Sequence, residues 1–560
     1  MRTRSILNIL FMACIASTGT AQEWQWMKHV GGIGHDTGRP VAEDEAGNIY
    51  VLATHDGACF IEGDTVQGSD AFIAKFDPSG TLIWLKTGVS PAGSMGFAGL
   101  VVDTVSQSLF VAFNYVVSCS MDTVTVSTGM YAGAGLSQWT YDGSCLWAKN
   151  VATSGTDLFG SRCYIRSLIA LADGTLCLSG ATTEFAQTFV QGIPYEYGAF
   201  LAAYNLNGIP LWARQHLIQN SGVNAQQVVL ASSGAKVYAG VSYGFNTQTD
   251  SIFLDTMVVA GGPVRAYLLS RIDPADGSRI WTKKEGIGGS FALAQQPIAI
   301  NGTGRIAIVG IFSDTAYFGT DTITTTNSSY WSSFVAIHDT TGEVLSARAY
   351  EAASGVMFEN VEPDPYGGFY ASGNIFPSSN NWDGVAFQIT DIREIFISRH
   401  APDGSCQAVF TDGSGRLNTT SLLSTADGLY LGLKFPDEQE NGTVTLGNSS
   451  FTSYGYQDAI IAKLDQFTSV SSIRTEEPGS LRIYANPNIG LCTVEFPTSI
   501  RFTPRLTLGI YDTQGRQLQR IPISTSSEGV RLDISAQAKG LYHVELTDGE
   551  QRYSGTIVFE

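Results

Sequence analysis

Residues 71–86 read A-F-I-A-K-F-D-P-S-G-T-L-I-W-L-K. An apolar run, a D-P-S-G turn and a second apolar run make two short strands joined by a polar turn. Relatives of this stretch occupy residues 134–149, 199–214, 267–283, 333–348 and 395–410. At 459–465 only the first half survives, as A-I-I-A-K-L-D. The second half stands alone near the N-terminus, as Trp24-Gln25-Trp26-Met27-Lys28. From Trp26 through Trp84, Trp147, Trp212 and Trp281 to Ser346 and Ala408, where the Trp is lost, the spacing averages about 64 residues.

Each unit carries further strand signals. An apolar strand follows a turn, as in G-N-I-Y-V from Gly47, K-V-Y-A-G from Lys236 and G-L-Y-L-G from Gly428. A hairpin-like piece follows it, as at residues 60–66 and 317–323. With the W strand, a unit supplies about four short strands, the content of one propeller blade. The last unit ends at Asp465 without a W strand, and the Trp26 segment supplies the missing one. Such a permutation closes a ring and removes an open sheet edge. The expected fold is all-β: a seven-bladed β-propeller over residues 22–467, followed by a small Ig-like β-sandwich.

The units resemble a bacterial β-propeller repeat family. Asp44 with Gly47-Asn48-Ile49-Tyr50-Val51, and Asp70-Ala71-Phe72-Ile73-Ala74-Lys75-Phe76-Asp77, carry the resemblance. It implies a fold and no particular activity.

The two ends of the chain speak to location. Arg2 and Arg4 precede a mostly apolar stretch at residues 6–16, and Gly19-Thr20-Ala21 suits signal peptidase, so residues 1–21 read as an export signal. No later stretch is long and apolar enough for a transmembrane helix. Residues 468–480 are polar and Ser-rich and read as a linker. Residues 481–560 alternate apolar and polar residues in short strands separated by polar turns, as expected of the sandwich. They resemble the C-terminal sorting domain of the type IX secretion system of Bacteroidota. The motif residues are Tyr484, Asn486 and Pro487, then Gly515 after Tyr511-Asp512, then Gly540, Leu541 and Tyr542. The resemblance implies passage through the periplasm of a Gram-negative bacterium. Recognition by the type IX machinery and release to the surface or the medium would follow.

Composition narrows the function. The 32 basic and 51 acidic residues give a net charge of −19, which repels a phosphate backbone, so no nucleic-acid partner is expected. Seven Cys follow the signal, an odd number without any C-x-x-C, which fits buried apolar thiols better than zinc. Any disulfide would fall among the four between Cys119 and Cys177. No H-E-x-x-H or G-x-S-x-G occurs, and His338 and His400 occupy the repeat position of Phe76, which makes them structural. No catalytic residue and no metal ligand is assigned. The acidic loops are compatible with calcium, although no D-x-D-x-D-G run is present.

Aromatic residues gather before the A-F-I-A-K-type strands: Tyr195, Tyr197, Tyr330, Trp331, Trp382, Tyr454 and Tyr456. They suit either packing between blades or a ligand-binding rim for an extracellular glycan or protein. Three functions remain: a binding or adhesive module, a structural surface component, and an extracellular hydrolase or lyase acting on glycans. Absence of a paired catalytic motif favours the first two.

Overall fold

The computed structural model describes residues 22–67, 71–91, 95–155, 163–182, 188–219, 228–245, 251–254, 257–260, 265–326, 329–435, 442–467, 481–484, 490–496, 503, 505–512, 516–523, 529–548 and 552–559. The described residues form strands and turns with no helix. Two compact units divide the chain after residue 470.

In the first unit, the A-F-I-A-K strand Ala71–Phe76 lies third in a four-stranded antiparallel meander. Its neighbours are Ile49–Thr54 on one side and the W strand Leu82–Val89 on the other. Thr37–Glu43 pairs beyond Ile49–Thr54 as the innermost strand. Among the described residues the same pattern occurs seven times. The seventh set is Asn418–Ser424, Leu429–Phe435, Asp458–Leu464 and the N-terminal strand Trp24–Gly32. Trp26 stands opposite Lys463, and His29 opposite Ile460. The innermost strand of this set returns to that of the first, where Thr420 Oγ1 donates to Gly38 O at 3.3 Å. These pairings make a β-propeller.

The hairpins differ from the expectation. Cys59–Ile61 and Asp64–Val66 do not join the sheet of their own repeat. They extend the seventh set, with Ile61 opposite Val30 of the closing strand. Likewise Met121 pairs with Gly88, and Val190 with Ala152 of the preceding set. A hairpin of three-residue strands buries too little surface by itself, so it takes the free edge of the neighbouring W strand. The fourth strand of each set is instead the innermost one, which carries no shared motif.

The Asp-Gly turns and the W strands explain each other. Gly80 has φ +82°, a left-handed conformation that favours glycine, and a Cβ there would stand 2.7 Å from the Trp26 ring. Trp26 Nε1 donates to Pro78 O of the same turn at 3.1 Å. Trp84, Trp147, Trp212 and Trp281 cover Gly143, Gly208, Gly277 and Gly342 in the same way. Where Ser346 replaces the Trp, its Oγ donates to Asp403 O at 2.6 Å, and the cover is lost.

The second unit has two antiparallel sheets. Arg482–Tyr484, Leu491–Glu495 and Gly529–Asp533 form one. Gln517–Pro522, Thr507–Tyr511, Gly540–Thr547 and Arg552–Phe559 form the other. Val494, Leu508, Leu532, Val544 and Ile557 share one buried core. Of the motif residues, Asn486, Pro487 and Gly515 lie outside the described residues. Tyr484 lies in the first strand. Gly540, Leu541 and Tyr542 open the strand beside Thr507–Tyr511, with Leu541 exposed and Tyr542 buried.

Candidate functional site

The signature residues are committed to the fold. Asp44 accepts from the backbone N–H of Ala46 and Asn48, from Asn48 Nδ2 and from Tyr50 OH, and pairs with Lys75 Nζ at 2.9 Å. Such a buried carboxylate is spent on local order. Asp364 with Arg399 (2.7 Å) and Asp427 with Lys463 (2.5 Å) repeat the pair in the sixth and seventh sets. Asp77 Oδ1 accepts from the N–H of Ser79 and Thr81, an Asx turn with no catalytic geometry. His338 and His400 each hold a turn carbonyl through Nδ1, of Gly342 and Gly404. Burial drives both imidazole pKa values down to about 4. All seven described Cys are buried, and burial lifts the thiols of Cys163 and Cys177 to about 12. No cluster of three metal-ligating side chains occurs among the described residues.

The aromatic residues of the expected rim separate into groups. Trp382 is 3% exposed and packs on Tyr350, Phe358, Phe387 and Phe396, so it is core. Tyr195 is also buried, edge-on to Phe200. Tyr197 is half-buried, and its carbonyl accepts from Gln219 N at 3.0 Å. Tyr454 and Tyr456 are half exposed, stacked on His29 and His35 at 4.8 and 5.5 Å between ring centres.

Tyr330 and Trp331 line a cleft. They precede the strand Ser332–His338, and the Trp331 carbonyl accepts from Val356 N at 3.0 Å, which fixes them beside the sixth set. Gly355, at φ +105°, makes the turn there. With Met357, Phe376 and Pro377 they enclose a largely apolar cavity of about 410 Å³. Met357 and Phe376 also border a polar cavity of about 250 Å³, lined by Gln295, Glu359, Asn374, Arg393, Asn418, Thr419 and Lys434. The Arg393 guanidinium joins the two halves. It lies 5.1 Å from the Phe376 ring centre, and its Nη1 donates to Asn418 Oδ1 at 2.7 Å. Asn374 Oδ1 accepts from Thr419 N at 3.3 Å. Thr419 is buried, and among the described residues its Oγ1 has no hydrogen-bond partner.

Glu359 is the one carboxylate among the described residues of these linings. Burial raises its pKa to about 7, opposed by the charge of Lys434 and a hydrogen bond from Gln295. Three residues on, burial raises Glu362 to about 8. The arrangement offers an aromatic face beside a well of amide, hydroxyl and cationic donors. The sequence does not announce the polar half, because its residues come from three separate repeats.

The fold and the cleft together define an all-β propeller with a small-molecule-sized recess at its strand ends, followed by a separate β module. Residues 482–560 match the family of the secretion system C-terminal sorting domain, here the type IX type, which marks the chain for export to the cell surface or the medium. No curated protein sequence matches the chain. Among solved structures the chain is similar to BamB from Moraxella catarrhalis, at 10% identity and TM-score 0.34, over 79% of this chain and 99% of that one. It is similar to a protein of unknown function from Dyadobacter fermentans, at 9% identity and TM-score 0.35, over 65% and 93%. It also resembles an exo-1,5-alpha-L-arabinanase from a bovine ruminal metagenomic library, at 12% identity and TM-score 0.28, over 56% and 97%. At these scores the likenesses carry no argument about activity. No described helix is long and apolar enough to cross a membrane.

Proposed function

We propose that this protein is an exported propeller of a Bacteroidota cell surface that binds an extracellular glycan without cleaving it. Residues 22–467 form a seven-bladed binding body, 468–480 a linker, and 481–560 a sorting module removed on export. The observation that carries the reading is the paired cavity. Tyr330, Trp331 and Phe376 offer apolar faces of the kind that stack on pyranose rings, and Asn374, Asn418, Gln295 and Thr419 offer the hydrogen bonds that hydroxyls need. A glycan hydrolase is the less favoured reading. Glycoside hydrolysis uses two carboxylates about 5–10 Å apart, and Glu359 stands without a second one in the described lining.

Calorimetric titration of the exported protein with a panel of neutral and acidic oligosaccharides tests this. Binding is expected, without release of reducing ends, and Trp331→Ala is expected to lower affinity about tenfold. Hydrolysis lost in Glu359→Gln would instead establish the enzyme.

A further inference from the structure

The polar half of the cleft contains two groups that no internal partner accounts for. Thr419 is 1% exposed, yet among the described residues its Oγ1 makes no hydrogen bond. Leaving a buried hydroxyl unpaired is unfavourable, so this atom is placed for a group outside the chain. Lys434 is half-buried in the same cavity. Its charge acts on Glu359, yet among the described residues it forms no ion pair with that carboxyl. The contrast with Lys463 of the same set is direct, since Lys463 pairs with Asp427 at 2.5 Å.

Resting on the glycan-binding reading above, we propose that the cleft takes a uronic-acid glycan, with the sugar ring on Tyr330 and Trp331 and its carboxylate on Lys434 Nζ and Thr419 Oγ1. An ammonium and a hydroxyl donating to one carboxylate make charge-assisted hydrogen bonds, about twice as strong as neutral ones. Arg393, held by Asn418 and stacked on Phe376, adds a second positive charge at the boundary between the two cavities. The net charge of −19 opposes an acidic ligand at long range. Screening confines that opposition to about 8 Å at physiological salt.

Glu359 gives the proposal a second signature. The charged groups that line the cavity with it are Lys434, from Leu429–Phe435, and Arg393, before Glu394–His400. Protonated, Glu359 leaves Lys434 to the ligand. Ionised, it competes for Lys434 and repels the incoming carboxylate. Acidic-ligand affinity therefore falls as pH rises through about 7, and binding above that pH takes up a proton.

The test titrates the exported full chain with oligogalacturonate, oligoglucuronate and oligoguluronate, each beside its methyl ester, which keeps the sugar and removes the charge. One acid is expected to bind at least tenfold tighter than its ester. Lys434→Met is expected to erase that difference while retaining ester binding, and Lys434→Arg to restore it. Glu359→Gln is expected to keep the affinity and abolish proton uptake. Esters binding as well as acids would overturn this proposal and leave the glycan reading standing. Failure of every sugar, neutral or acidic, would overturn both.

Discussion

Replacing Asp36 by Asn should stabilise the ring, and do so only at neutral and alkaline pH. The closing strand ends in a short bridge where His35 lies parallel to Gln457. The next residues on each side are Asp36 and Asp458, near enough for the charge of Asp458 to act on Asp36. Both are fully buried. Asp36 Oδ1 accepts from Asp56 N at 3.3 Å, and Asp458 Oδ2 meets His29 Nε2 at 2.6 Å. Among the described residues Asp36 Oδ2 and Asp458 Oδ1 have no hydrogen-bond partner. Burial raises the Asp36 pKa from 3.8 to about 7, and the charge of Asp458 adds to the rise. Folded protein thus holds a proton that the unfolded chain releases near pH 4. Stability is unaffected by this group below pH 4 and falls as pH rises toward 7. Above pH 7 the penalty is complete, at about 4 kcal/mol for a shift of that size. The Asp36→Asn variant copies the protonated form, its amide donating where the proton stood. We expect a gain of about 2 kcal/mol at pH 8, the rest being lost to imperfect amide geometry, and none at pH 4. Chemical denaturation of the exported protein across pH 4 to 8.5 reads the difference. Equal gains at both ends, or a loss at pH 8, would refute the buried, protonated Asp36.

The closing strand itself is testable through Trp26, which lies 5.9 Å from Tyr430 and 6.3 Å from Phe76 between ring centres. Trp26→Ala should cost about 2 kcal/mol in denaturant midpoints, and deletion of residues 22–30 considerably more; unchanged midpoints would count against closure by this strand. Truncation before Leu481 should leave the propeller folded but retained in the periplasm, and normal amounts of it in the medium would contradict the sorting role. His400, held neutral by burial, should weaken the fold as pH falls from about 6.5 through about 4. His400→Phe, the residue of the first repeat at Phe76, should therefore flatten the acid limb of a stability–pH profile, and an unaltered limb would exonerate the imidazole.

The repeat is legible in the sequence because its residues answer to one another across blades. Trp26 needs a glycine beneath it, Gly80 needs a positive φ, and Asp44 needs Lys75, so such pairs return along the chain. The permuted Trp26 strand is legible for the same reason, since a unit lacking one element and an element lacking a unit imply each other. The hairpins defeat the reading because their sequence fixes a turn, here at Glu62 and Gly63, but not the sheet that receives it. Innermost strands such as Thr37–Glu43 escape because each meets a different neighbour and shares no motif. Trp382 falls among the rim residues by its place in the chain, whereas its strand's alternation turns it inward.

The cleft lies where the repeat is broken, which is why a search for regularity passes over it. The fourth residue after the tyrosine position lies toward the far end of each second strand's pairing with the third. Through the seven sets it is Thr54, Asn114, Ala181, Ser242, Ile311, Asn374 and Lys434. The tyrosine position itself stays large or apolar, because it packs against the next blade. Six of the seven end residues are uncharged, and the seventh is the lysine of the polar cavity, with Asn374 of the same lining one set earlier. A position that packs against a neighbour is held to one kind of residue by the ring. One that faces the recess is not, and a single charge there costs nothing in closure. In a chain built from repeats, departures of this kind therefore point to the candidate site, as the regularities within strands point to the fold.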